Sequence, residues 1–232
     1  LNHIRYSVLL FLSAATNAHA GVYAWQGSSG LFPNEVNSAM ALVNTSSPEV
    51  PTLTGGTLTL QNNSPSEFMY YSQSNDLSVP AMPEVNFAMR YVSGGSNQTR
   101  SNAAIWLNLG GNTGVIVFIA QDLIFSITGS NMRQASAAVD TNDAVHRYRL
   151  SLSGTAPGSA YTLFQNDVAL FSSVVTTGSQ FTALPNVAFG DGTLSFAGET
   201  QWAAFSHNML VPSPGVAALL GLGGLLAARR RR

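Results

Sequence analysis

No lysine and no cysteine occur anywhere in the 232-residue chain, and charge of either sign is scarce. Charged residues make up 9% of the sequence, against about 25% in an average soluble protein, so the surface has to be built from Ser, Thr, Asn, Gln and Gly. The missing cysteine excludes thiol nucleophiles and cysteine-based zinc sites, and hydrophobic residues at 45% suffice for a core without disulfide staples. The missing lysine excludes a G-x-x-x-x-G-K-[ST] phosphate loop, and neither G-x-S-x-G nor H-E-x-x-H occurs. All ten basic residues are arginines, and four of them stand together as Arg229, Arg230, Arg231 and Arg232. Between the two ends only Arg90, Arg100, Arg133, Arg147 and Arg149 face all eleven acidic residues. That mildly acidic body lacks the clustered basic face that nucleic acid requires, so no nucleic-acid partner is expected.

Both ends carry targeting patterns. His3 and Arg5 precede an apolar run from Tyr6 to Ala15, followed by a polar stretch that closes in Ala18-His19-Ala20. A basic start, a short apolar centre and an A-x-A end are the parts of a secretory signal peptide, with cleavage expected after Ala20. At the other end Val211-Pro212-Ser213-Pro214-Gly215 leads into thirteen apolar residues, Val216 to Ala228, and then the arginine cluster. As a helix this segment reaches only about 20 Å, short of the roughly 30 Å hydrocarbon core. Snorkelling arginines held on the cytoplasmic side by the positive-inside rule would seat it in the inner membrane before processing.

The order of a proline-containing signature, a short hydrophobic helix and a terminal arginine cluster resembles the PEP-CTERM sorting tail of Gram-negative bacteria. The family signature is Val-Pro-Glu-Pro, and Ser213 stands where the family has glutamate. The resemblance implies a partner, an exosortase-type protease-transpeptidase, that removes the helix and arginines near Pro214. The precursor would then sit in the inner membrane and the product at the cell surface, outer envelope or extracellular matrix. A plain C-terminal anchor is the alternative. The expected organisation is a signal peptide over 1–20, one β-sandwich domain over 21–209 and the sorting tail over 210–232.

Between the ends no segment holds a 3.6-residue period over ten or more residues, whereas short alternating runs recur between Gly, Asn, Ser and Pro clusters. Glu84 to Tyr91 is apolar at odd positions, and Tyr148, Leu150 and Leu152 share a face opposite Arg147, Arg149 and Ser151. Gly114 to Ala120 is apolar throughout and predicts a strand covered on both faces. Gly110-Gly111-Asn112 and Gln165-Asn166-Asp167 supply turn residues that tolerate positive φ. Around a dozen strands in this pattern predict an all-β fold, two antiparallel sheets packed as a jelly-roll sandwich.

Three pieces of the last third are similar to the concanavalin A-like lectin/glucanase superfamily: Val145 to Leu150, the hairpin Tyr161 to Phe171, and Asn186 to Gly192 followed by Gly198 to His207. This resemblance implies a lectin-like sandwich that binds an extracellular glycan. It also invites a test for hydrolysis, because retaining glucanases of this fold carry a Glu-x-Asp-x-x-Glu strand that holds two carboxyl groups about 5 Å apart. Nothing here has that spacing: after Glu84 the aspartate position is Asn86 and the second glutamate position is Met89. The expectation is a non-enzymatic protein with no cofactor. The alternative is a glycan-active enzyme with another constellation, for which Glu67 and Glu84 are the glutamates on plausible central strands.

Few other residues carry chemistry. His146 and His207 are read as a strand residue and a late-strand surface residue, without a recognisable base or orienting partner. Asp191, in Gly190-Asp191-Gly192, is the one candidate metal ligand: the superfamily resemblance implies a structural calcium near the last strands, and the alternative is a turn whose aspartate caps its own backbone. Tyr70, Tyr71, Trp106 and Trp202 are candidates for a sugar-stacking platform, with core packing the preferred reading of both tryptophans.

Overall fold

The structure is a computed structural model that describes residues 21–45, 49–74, 77–192 and 196–211. The signal-peptide positions Ala18 and Ala20 and the tail from Pro212 to Arg232, with Ser213, Pro214, Gly215 and Arg229 to Arg232, lie outside the described residues. Among the described residues the chain forms sixteen strands, more than the dozen expected because several are very short. In chain order they are β1 (Gly21–Gln26), β2 (Met40–Asn44), β3 (Thr52–Thr54), β4 (Thr57–Asn62), β5 (Met69–Gln73), β6 (Glu84–Gly94), β7 (Ala103–Gly110) and β8 (Thr113–Ala120). There follow β9 (Leu123–Ile127), β10 (Arg133–Ala138), β11 (His146–Leu152), β12 (Ala160–Gln165), β13 (Val168–Val174), β14 (Thr176–Thr177), β15 (Pro185–Asp191) and β16 (Gly198–Val211). A single helical turn, α1 (Pro33–Val36), is the only α-helix described, and no described helix is long and apolar enough to cross a membrane.

Two antiparallel sheets result. The first has the order β13-β12-β11-β6-β16-β4-β3 with β1 beside the second half of β16, and the second has the order β10-β9-β8-β7-β15-β5-β2 with β14 beside β8. Strands adjacent in sequence often lie in different sheets or several places apart, which is the crossing pattern of a jelly roll. The backbone of Val211 pairs with Gly21, so the last strand takes in the first residue of the Val-Pro-Ser-Pro signature.

Alternation in the sequence becomes burial in the sandwich. Val85, Phe87, Met89 and Tyr91 of β6 and Tyr148, Leu150 and Leu152 of β11 all enter the core between the sheets. On β16, Trp202 and Phe205 are three residues apart and yet both buried, because a register shift between Trp202 and Ala204 inserts the extra residue that rephases the strand. Every residue of β8 is buried, as its unbroken apolar run predicts. Its inner side chains join the main core, while Ile116 and Phe118 form a second cluster with Phe125, Ile127 and Phe181 on the outer face of the second sheet. The turn residues behave as expected: Asn112, Asn166 and Asp167 all take positive φ.

Candidate functional site

The outer face of the second sheet holds a cleft because its central strand is small where its neighbours are large. On β15 Ala188 lies opposite Ser72 of β5 and Trp106 of β7, and Gly190 lies opposite Tyr70. With strands about 4.8 Å apart, the backbones of β5 and β7 run roughly 10 Å apart on either side of Ala188, and their side chains rise around it. Phe68, Tyr70, Ser72, Trp106, Asn108, Gln180, Thr182 and Asn186 line a volume of about 270 Å³, at the small end of ligand pockets. Gly192 closes the floor under the indole, where an added Cβ would overlap the six-membered ring of Trp106.

Aromatic rings run in a row through this site. Phe68 and Tyr70 have centroids 5.5 Å apart, Tyr70 and Trp106 5.9 Å, and Trp106 meets Phe118 edge-on at 6.3 Å. Beyond Trp106 the row is closed over, with the Arg133 guanidinium 4.5 Å from the Phe125 ring centroid and Arg100 Nη2 donating to Gln180 Oε1 at 2.9 Å. Trp106 therefore packs its inner edge against the buried outer cluster and leaves the rest of its ring in the cleft. Burial pushes the Tyr70 phenol above its ordinary pKa, so it remains a hydrogen-bond donor through neutral pH.

A polar chain runs beside the rings. The Thr182 backbone N–H donates to Asn108 Oδ1 at 3.3 Å, Asn108 Nδ2 donates to Asn186 Oδ1 at 3.3 Å, and Asn186 Nδ2 donates to Ser72 Oγ at 2.7 Å. Each bond fixes the orientation of the next amide, and the Ser72 hydroxyl keeps its own proton for an acceptor outside the chain. None of the lining residues is acidic, basic or histidine. Flat rings plus oriented amides and a hydroxyl suit a neutral polyol.

The sequence candidates divide between the site and the core. Tyr70 and Trp106 meet in the cleft, which corrects the expectation of a core Trp106. Trp202 is fully buried as expected, with Nε1 donating to Thr200 Oγ1 at 2.8 Å. Tyr71 points the other way from Tyr70 and stacks on Phe189 in the core at 5.6 Å. Phe68, Ser72, Asn108, Gln180, Thr182 and Asn186 were not picked out by sequence. Asn108 was within reach of it, since it shares a face with Trp106 at the two-residue spacing of a strand.

His207 is not a surface residue. It is 1% exposed, faces inward between Phe205 and Met209, stacks on Tyr23 at 5.4 Å and has Nε2 3.1 Å from Gln73 Oε1. Burial pushes its pKa down to about 4, against a weaker opposing effect of a backbone hydrogen bond at Met209. His146 is a strand residue at the start of β11, with Nε2 2.6 Å from Asp143 Oδ1 and Nδ1 3.2 Å from Asn166 Nδ2.

Asp191 is the last residue of β15 rather than part of a turn. Its buried carboxylate accepts from Asn62 Nδ2 at 2.5 Å, and Asn62 is held in that orientation by bonds to the Glu67 carbonyl and the Ser64 N–H. A calcium ion takes six to eight oxygen ligands. Here an amide N–H faces the carboxylate, and among the described residues no group of three His, Cys, Asp or Glu assembles anywhere.

Glu67 and Glu84 do not form a catalytic pair. Glu67 lies in the loop after β4, whose Asn62 pairs with Gly198 at the start of β16. Glu84 begins β6 and its N–H bonds Asn208 near the other end of β16. Ten residues of strand put the two glutamates roughly 30 Å apart, far beyond the 5–10 Å of paired glycosidase carboxylates.

No protein-family model matches the chain, and no curated protein matches it. Solved structures do match in fold. The metal-free Emp46p carbohydrate recognition domain aligns with 76% of this chain and 90% of its own, at 12% identity and a TM-score of 0.50. Its potassium-bound form aligns with 76% and 91%, at 13% identity and a TM-score of 0.51. A carbohydrate esterase, vb_24B_21 of the Shiga toxin-encoding bacteriophage phi24B, aligns with 82% of this chain and all of its own, at 10% identity and a TM-score of 0.55. The chain is thus an all-β, two-sheet antiparallel jelly roll of the concanavalin A-like kind, the architecture of these carbohydrate recognition domains.

Proposed function

We propose that this is an exported, non-enzymatic surface or matrix protein whose sandwich binds a neutral glycan in the cleft between β5 and β7. The observation that carries the reading is the juxtaposition of the Phe68-Tyr70-Trp106 row with the Asn108-Asn186-Ser72 hydrogen-bond chain, in a cleft without a charged side chain. Sugar rings present apolar faces and hydroxyl edges, and these two strips match them side by side. The carbohydrate recognition domains and the esterase of the same fold make both binding and hydrolysis precedents. Hydrolysis is the weaker reading because Ser72, the hydroxyl in the cleft, is bonded to Asn186 and has neither His146 nor His207 beside it.

A glycan array probed with the full chain tests this, once with calcium and once with chelator. Neutral glycans are expected to bind equally in both, because no carboxylate lines the cleft. Trp106→Ala should weaken the best of them by about tenfold or more, and Trp106→Phe should recover part of that loss. Binding confined to charged glycans, or untouched by Trp106→Ala, would remove the cleft from the function.

Export and sorting rest on the two ends. The tail would hold the precursor in the inner membrane until an exosortase-type enzyme cuts near Pro214, leaving the domain outside the cell. Mass spectrometry of the protein from its native envelope should find a C-terminus that lacks Arg229 to Arg232. A C-terminus at Arg232 would mean a retained anchor instead.

A further inference from the structure

We infer that the outer face of the first sheet carries a second ligand site, separate from the aromatic cleft, where Arg147 receives the carboxylate of an acidic saccharide. Two neighbouring cross-strand rows build it. Arg149, Asn86, Ser206 and Ala24 stand opposite one another across β11, β6, β16 and β1, and two residues along Arg147, Ala88, Ala204 and Gln26 do the same. Small side chains in the middle and long ones at the edges leave a groove of about 260 Å³ on the sheet face.

The charges in the groove are unequally committed. Arg149 lies over the Phe164 ring, 3.9 Å from its centroid, and has Nη1 3.8 Å from Glu84 Oε2. Asn86 Nδ2 donates to the other oxygen of Glu84 at 2.9 Å. Asp167 stands at the rim, in the turn between β12 and β13. Arg147 is exposed, and among the described residues its guanidinium has no hydrogen bond, ion pair or ring. A planar fork of donors held at the wall of a groove pairs best with a carboxylate, which it grips through two parallel hydrogen bonds.

The form of the groove selects a saccharide as the bearer of that carboxylate. β11, β6 and β16 are paired on both sides and β1 has a free edge only on the side away from β16, so a ligand lying in the groove on the sheet face must be held by side chains. Asn86, Gln26 and Ser206 supply amide and hydroxyl partners, and Ala24, Ala88 and Ala204 supply a flat floor for a ring face. None of the exposed large hydrophobic side chains lines it, which leaves nothing for a lipid or an apolar helix to bury.

Calorimetry with the full chain tests the site, using trigalacturonate as the acidic probe and its methyl ester as the neutral control. The acid should bind, and the ester should bind about tenfold more weakly or worse. Arg147→Gln should bring the acid down to the level of the ester, and Arg147→Lys, which keeps the charge without the fork, should fall between them. Trp106→Ala should leave acid binding unchanged, so failure of the cleft and failure of this groove give different results. Equal binding of acid and ester, no binding of either, or an unaffected Arg147→Gln protein would overturn the proposal.

Discussion

Phe189→Ala is expected to lower the stability of the domain by about 4 kcal/mol. Phe189 is fully buried at the centre of β15, and its ring meets four other aromatic rings. Centroids lie 4.4 Å away at Phe205, 4.9 Å at Trp202, 5.6 Å at Tyr71 and 6.3 Å at Trp25. Those rings come from both sheets, with Trp25 on β1 and Trp202 and Phe205 on β16 opposite Tyr71 on β5. Removing the central ring leaves a cavity that large, mutually braced neighbours cannot refill by collapse. Against a net stability of roughly 5–15 kcal/mol, the loss is a large part of the whole. Urea unfolding should show the midpoint fall with little change in slope. Val168→Ala on the edge strand β13, where the side chain is 66% exposed, is the control and should stay within about 0.5 kcal/mol. A Phe189→Ala loss no larger than the control would mean that the two sheets are not joined through this ring.

Acid should weaken the fold through His207. In the native state its imidazole is neutral with a pKa near 4, whereas in the unfolded chain it titrates near 6.5. Between those values the unfolded state binds a proton that the native state does not, so stability rises with pH across that window. The contribution is complete above about pH 6.5, is lost as pH falls toward 4, and amounts to about 3 kcal/mol. Protonation would place a charge against Tyr23 and Gln73 between the sheets, with no carboxylate at its Nε2. Unfolding free energies measured at several pH values should give this slope in the native sequence and lose it in His207→Phe. The slope is the measure, because the substitution also shifts stability by a constant amount. An identical slope in both proteins would assign the acid sensitivity to carboxylates such as Asp143, whose bond to His146 holds its pKa below the ordinary value.

His207 enters the core by the parity of its strand. Phe205, His207 and Met209 share the parity of one strand face, so an inward histidine was legible once that alternation was followed to the end of β16. Trp106 is the reverse case: Ile105 and Leu107 take the inner face, which puts Trp106 outside with Asn108. Tyr70 and Tyr71 are adjacent and so must face opposite ways in a strand, yet nothing in the dipeptide says which one enters the core.

The amino-acid sequence by itself determined the all-β class, the buried course of β8, the hairpins at Asn112 and Asn166-Asp167, and the inward faces of β6 and β11. These depend on period-two alternation and on residues that accept positive φ, which are local properties of the chain. Only the tertiary structure decided that β15 lies between β5 and β7, so that Ala188 forms a floor between Ser72 and Trp106, and that β1, β16, β6 and β11 bring Gln26 across from Arg147. Alternation fixes which side chains share a face of one strand, but sheet order and register arise from packing between segments far apart in the chain, and both grooves are made by register.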